Sequence, residues 1–135
     1  MNACTVSSVV FLCAPPVLAF AVHEMLLGVS WYMVGIASIL NHHRKNYSLA
    51  QRDPGQRVCF VIDHVCIVWA ASVNVVRLAL TPAPVMLGTY VCLLALTFGA
   101  TQIARGRPNF EYVAVSVHAI GAITNVGVLW ITFCP

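Results

Sequence analysis

Five apolar runs, each near the length of a bilayer-crossing helix and almost free of charge, limit what this chain can fold into more than any other feature. They fall at about 5–22, 25–41, 58–79, 83–103 and 111–133. Across 135 residues, runs of that length leave only short loops between them and no soluble appendage. Composition agrees. Charged residues make up 8% of the chain and apolar residues 60%, with a mean hydropathy of +0.86. A water-facing shell takes roughly 25% charged residues, so lipid is the expected outer solvent. The expected fold is an all-α integral membrane protein: a single domain, 1–135, forming a compact bundle of about five transmembrane helices.

The breaks differ in strength. Thr81-Pro82-Ala83-Pro84 is a firm one, because two prolines remove donors and stop a helix. Only His23-Glu24 separates the first two runs, and Pro15-Pro16 interrupts the first. A short kinked or re-entrant first segment, with four full spans after it, stays open at this point. No charged residue precedes His23, so the basic region of a secretory signal peptide is missing and the first run is expected to be retained.

Basic residues set the expected orientation. Arg44, Lys45, Arg52 and Arg57 lie between runs two and three, and Arg105 and Arg107 between runs four and five. Both loops fall on one side, leaving Arg77 alone on the other. The positive-inside rule then places the N-terminus in the cytoplasm. Loops this short, held at membrane ends, give no nucleic-acid signal. The six cysteines (Cys4, Cys13, Cys59, Cys66, Cys92 and Cys134) include no CxxC pair and read as small packing residues. Gly28, Gly35, Gly88, Gly99, Gly121 and Gly127 read as points of close helix approach. Trp31, Trp69 and Trp130 read as packing or interface residues.

An ionisable group inside a span costs about 2.5–3.5 kcal/mol and needs a partner or a task. Three runs carry such groups in stripes. Glu24, Trp31, Ser38 and His42 share one face of the second helix, since offsets of seven and four nearly close a helical turn. Asp63, Ala70 and Asn74 line the third helix, and Glu111, His118 and Asn125 the fifth. At 1.5 Å per residue, Asp63 and His118 lie roughly 8–10 Å inside the basic end, near the level of Ser38. Ser38, His42, Asp63 and His118 are thus expected to meet in one pocket, with Glu24 at the far end. Two imidazoles, a carboxylate and a hydroxyl are zinc chemistry: zinc takes nitrogen and oxygen donors and turns bound water into a nucleophile.

Each group also has a purely structural reading. His42-His43-Arg44-Lys45 serves as a polar helix end, Asp63 pairs with Arg57 or His64, and His118 with Asn125 bonds helices together.

The segment Ser38-Ile39-Leu40-Asn41-His42, followed after a loop by Val61-Ile62-Asp63-His64-Val65-Cys66-Ile67, resembles the CREST superfamily of membrane hydrolases. That group includes the alkaline ceramidases, the progestin and adipoQ receptors and the myomaker-like proteins. Its members pair Ser-x-x-x-His at the end of one helix with Asp near the start of the next, and Glu24 matches a glutamate found in some branches. The resemblance covers about residues 24–70. It implies hydrolysis of lipid amides or esters at a zinc ion, with His42 and His118 as metal ligands and Ser38 and Asp63 as catalytic residues. Two features depart from the family pattern. Ala122 stands where the last helix usually carries a second histidine, and five spans replace seven. His43 or His64 could stand in for that ligand, with nothing in the spacing to choose between them.

Three functions follow as expectations. The first is a CREST-like, zinc-dependent hydrolase, intact or degenerate, with membrane lipid as partner and substrate. The second is a non-enzymatic membrane protein whose polar stripes only lock helices together. The third is a minimal proton or ion path through Glu111, His118 and Asp63, which at five helices would call for a homo-oligomer.

Overall fold

Among the described residues, five α-helices stand where the five apolar runs stand. The computed structural model describes residues 3–43, 52–82 and 84–133; Arg44, Lys45 and Cys134 lie outside them. The helices are α1 (Ala3–Ala21), α2 (Met25–His42), α3 (Pro54–Ala79), α4 (Pro84–Ala104) and α5 (Phe110–Phe133). All five are long and apolar enough to cross a membrane.

The first boundary resolves in favour of a full helix. α1 runs unbroken through Pro15 and Pro16, both buried, and its 19 residues reach roughly 28 Å, close to the apolar thickness of a bilayer. It ends in a Schellman-type cap. His23 adopts φ 61° and donates to the Phe20 carbonyl, while Glu24 donates to the Ala19 carbonyl at 2.8 Å. Two residues therefore suffice to reverse the chain.

α3 begins earlier than its apolar run, at Pro54 rather than near 58. Asp53 accepts from the Gln56 amide at 2.8 Å, and the Gln56 side chain accepts from the Asp53 amide at 3.2 Å. With Pro54 at the first helical position, this is a complete capping box, and it starts the helix one turn into the polar loop. At the other end, Thr81 donates to the Leu78 carbonyl and closes the helix before Pro82. Gly106, at φ 79°, turns the chain between α4 and α5.

The helices neighbour one another in chain order, and α5 closes the ring against α1. α1 and α2 make the most extensive pairing. At Gly35 a Cβ atom would come within 2.6 Å of the Leu12 backbone, so only glycine permits this approach. Gly28 lies under the Phe20 ring and Gly121 under Phe11. Gly88, Gly99 and Gly127 correct the sequence reading, because nothing lies within 4 Å of a Cβ built on any of them.

The core joins four helices through Phe11, Trp31, Val34, Ala37, Cys66, Ala70 and Ala122. Phe11 and Trp31 stack with ring centroids 5.7 Å apart. Cys4 and Cys66 are buried as packing residues, whereas Cys13 and Cys92 face outward. Trp31 is a core residue; Trp69 and Trp130 face outward. α4 is peripheral, with Tyr90 and Ala104 its only buried residues.

Candidate functional site

The polar stripes of α2, α3 and α5 turn inward, and α1 joins them. Ser38, His42, Asp63, Asn74 and Asn125 are all buried. Near the end where α2 finishes, His42 and His118 stand side by side, ring centroids 5.2 Å apart and planes at 68°. Phe11 closes the other side of His118, edge to face at 5.6 Å.

α1, which carries no charged residue, supplies three hydroxyls to this centre. Thr5 donates to the His42 carbonyl at 2.8 Å and so satisfies one of the carbonyls a helix end leaves open. Ser8 donates to the Cys4 carbonyl at 2.8 Å, which commits its only proton. The 3.0 Å bond between Ser8 and Ser38 therefore runs from the Ser38 hydroxyl to Ser8 Oγ. By the same logic, Ser7 donates to the Cys4 carbonyl at 3.0 Å and accepts the proton on Nδ1 of His118 at 2.7 Å. That bonding leaves Nε2 of His118 with its lone pair, the form in which imidazole binds a metal. The signal for these residues was present in the sequence: Thr5 and Ser8, three apart, lie on the same face as Phe11 and Pro15.

Asp63 reaches the same region by another route. Its Oδ2 accepts from the Asn41 amide at 2.7 Å, and Asn41 Oδ1 accepts from Arg52 at 3.0 Å. The expected pairing of Asp63 with Arg57 or His64 is replaced by this relay. Arg57 donates to the Arg52 carbonyl, and His64 bonds the Phe60 carbonyl. Oδ1 of Asp63 is buried and makes no hydrogen bond. Asp63 is thus fastened to α2 at the residue preceding His42, with one carboxylate oxygen left over. Asn41 lies within the Ser38–His42 segment, but only the structure gives it this role.

Three further polar groups sit elsewhere. Asn125 bonds Asn74 and Tyr90, and His118 bonds Ser7, so both of these α5 residues link helices. Asn74 donates to Asn125 Oδ1, Tyr90 donates to the same oxygen at 3.1 Å, and Asn125 donates to the Gly121 carbonyl at 2.6 Å. Glu24, at the far end, forms an ion pair with Arg77. Glu111 accepts from the Ala3 amide at 3.0 Å and helps hold α5 to α1.

The donor set can be weighed against zinc. Two imidazoles bound tetrahedrally to one ion, with Zn–N near 2.0–2.1 Å, hold their ring centres about 5 Å apart. The His42–His118 spacing matches that value. Among the described residues, no three histidine, cysteine, aspartate or glutamate side chains gather into a metal-holding group. The same spacing and tilt are those of an ordinary edge-to-face ring contact, so the pair offers zinc at most two nitrogen donors and not a full protein ligand set. Comparisons with protein-family models, with curated proteins and with solved structures find no match to this chain.

Proposed function

We propose that this chain is a multi-pass membrane protein with its N-terminus in the cytoplasm, and that it carries a CREST-type lipid hydrolase centre. In this reading His42 and His118 hold zinc, while Ser38 and Asp63 assist. The observation that carries it is the His42–His118 pair: two residues on α2 and α5, brought to a 5.2 Å ring separation. Zinc held there would supply a Lewis acid and a water acidic enough to be hydroxide near neutral pH. Ser7 fixes the tautomer of His118, Phe11 fixes its tilt, and Thr5 anchors the backbone at His42. The spare oxygen of Asp63 is an acceptor that can orient a water or take its proton, held in place through Asn41 and Arg52.

Metal analysis of the detergent-purified chain tests this. The expected result is zinc near one per chain, falling several-fold in His42→Ala and in His118→Ala. Asp63→Asn should keep the metal and lower release of fatty acid from a ceramide-type amide or ester in mixed micelles by about 100-fold. A chain that retains full helix content and takes up no zinc would remove the hydrolase reading.

A second reading is favoured by a specific observation. Ser8 with Ser38, Ser7 with His118, Asn41 with Asp63, and Asn74 with Tyr90 and Asn125 all bond across helices. That is how polar residues lock a bundle in lipid, with no chemistry required. It predicts that the purified chain takes up no zinc, and that His118→Phe, which breaks the bond to Ser7, lowers stability in micelles by about 0.5–1.5 kcal/mol.

A further inference from the structure

The outward side of α3 carries a depression of about 460 Å³ lined by Phe60, Val61, His64, Val65, Val68, Trp69 and Ser72. That volume falls within the range of small-ligand sites, roughly 300–1,000 Å³. Its walls are almost wholly apolar, and Val61, Val65 and Val68 are each more than half exposed. Trp69 is fastened by its indole N–H to Ser30 on α2 at 3.0 Å, so this wall is braced from the neighbouring helix. From Phe60 to Ser72 the groove follows α3 for roughly 18 Å, slightly more than the apolar depth of one leaflet, about 15 Å.

One end of the groove is charged. The guanidiniums of Arg52 and Arg105 each lie 4.7 Å from the centre of the Phe60 ring, so they are no farther apart than twice that distance. Arg105 also donates to Nε2 of His64 at 3.4 Å, and His64 donates from Nδ1 to the Phe60 carbonyl at 2.9 Å. The carboxylates of this end are engaged elsewhere: Asp53 caps α3, Asp63 holds Asn41, and Glu111 holds Ala3. Arg105 has no carboxylate partner among the described residues. Partial burial pulls its guanidinium below the ordinary value, a cost that a bound anion offsets.

We infer that this face seats an anionic phospholipid, its phosphate at Arg105 and one acyl chain along the Phe60–Ser72 groove. The match is one of charge and length together: a cation at headgroup level, then an open apolar face of α3 about one leaflet deep. A basic pocket against a transmembrane helix is a recognised way to hold an anionic headgroup. The inference rests on the membrane-spanning reading but not on the histidine centre, which faces inward from the opposite side of α3.

The test is native mass spectrometry of the detergent-purified full chain, titrated with phosphatidylglycerol and with phosphatidylcholine of identical acyl chains. Phosphatidylglycerol should be retained about fivefold more tightly, the effect of one arginine near an anionic headgroup. Arg105→Gln should abolish the preference with zinc content unchanged. Val65→Trp, which fills the groove, should weaken both lipids alike. In the unaltered chain, raising the salt concentration should narrow the preference, a readout that does not depend on any variant folding. Equal retention of the two lipids, a preference that survives Arg105→Gln or high salt, or displacement by millimolar glycerol phosphate would each overturn the inference.

Discussion

Tyr90, Asn74 and Asn125 illustrate how single side chains hold a bundle whose outer surface gives them no help. Lipid tails are as apolar as leucine, so burying a leucine between two such helices gains little, and a polar bond between helices gains more. Asn125 Oδ1 accepts from both Asn74 and Tyr90 and ties α3, α4 and α5 at one point. α4 buries almost nothing else, so this knot matters most for that helix. Asn125→Leu should destabilise the chain by about 1–2 kcal/mol, and Tyr90→Phe by about 0.5 kcal/mol, measured as denaturant unfolding in micelles. Equal and negligible losses would mean that α4 is held by its loops alone. At the histidine centre the same scale of reasoning applies to Ser7 and Ser8. Each spends its proton on the Cys4 carbonyl and so sets the direction of the bond it shares with His118 or Ser38.

The helices themselves were legible to different degrees. Both ends of α2 and the break at Thr81-Pro82 follow from chain chemistry, and the structure places them within a residue or two of the apolar limits. α3 starts before its apolar run because a capping box, which hydropathy does not register, opens the helix at Pro54. Asp53-Pro54-Gly55-Gln56 is a helix start written in polar residues. Glycine shows the limit of reading one helix at a time. Six intramembrane glycines look equivalent in sequence, yet only Gly28, Gly35 and Gly121 meet a neighbour, because only they face one. Gly35→Ala should therefore separate α1 from α2 and cost about 2 kcal/mol or more, since the clash is with Leu12 backbone. Gly99→Ala, with open space around it, should be neutral or gain up to about 1 kcal/mol of helix propensity. Thermal unfolding of both variants in one detergent checks the contrast.

At the scale of the whole molecule, the charge distribution is polar along the bundle axis. Arg52 and Arg105 meet at Phe60 on one end, and Arg77 is tied to Glu24 at the other. If basic residues orient the chain, replacing Arg52, Arg57, Arg105 and Arg107 by glutamine should give a mixed population in a membrane topology assay with reporters at both termini. The unaltered chain should give one orientation. A single orientation in both would show that the first helix, not the loop charge, decides insertion.

What the sequence determined by itself is the all-helical class, the approximate limits of the four later helices and the inward direction of the polar stripes; that the first run is one full helix came from the structure. The former depend on hydropathy, helical periodicity and proline chemistry, all local along the chain. Only the tertiary structure decided that α1 closes against α5, that its hydroxyls complete the centre, that Asn41 rather than Arg57 or His64 receives Asp63, and which glycines touch a neighbour. Those outcomes depend on how the helices are rotated and spaced against one another. α1 marks its inner face only by the hydroxyls of Thr5 and Ser8, too weak a polarity on an otherwise apolar helix to fix that rotation in advance.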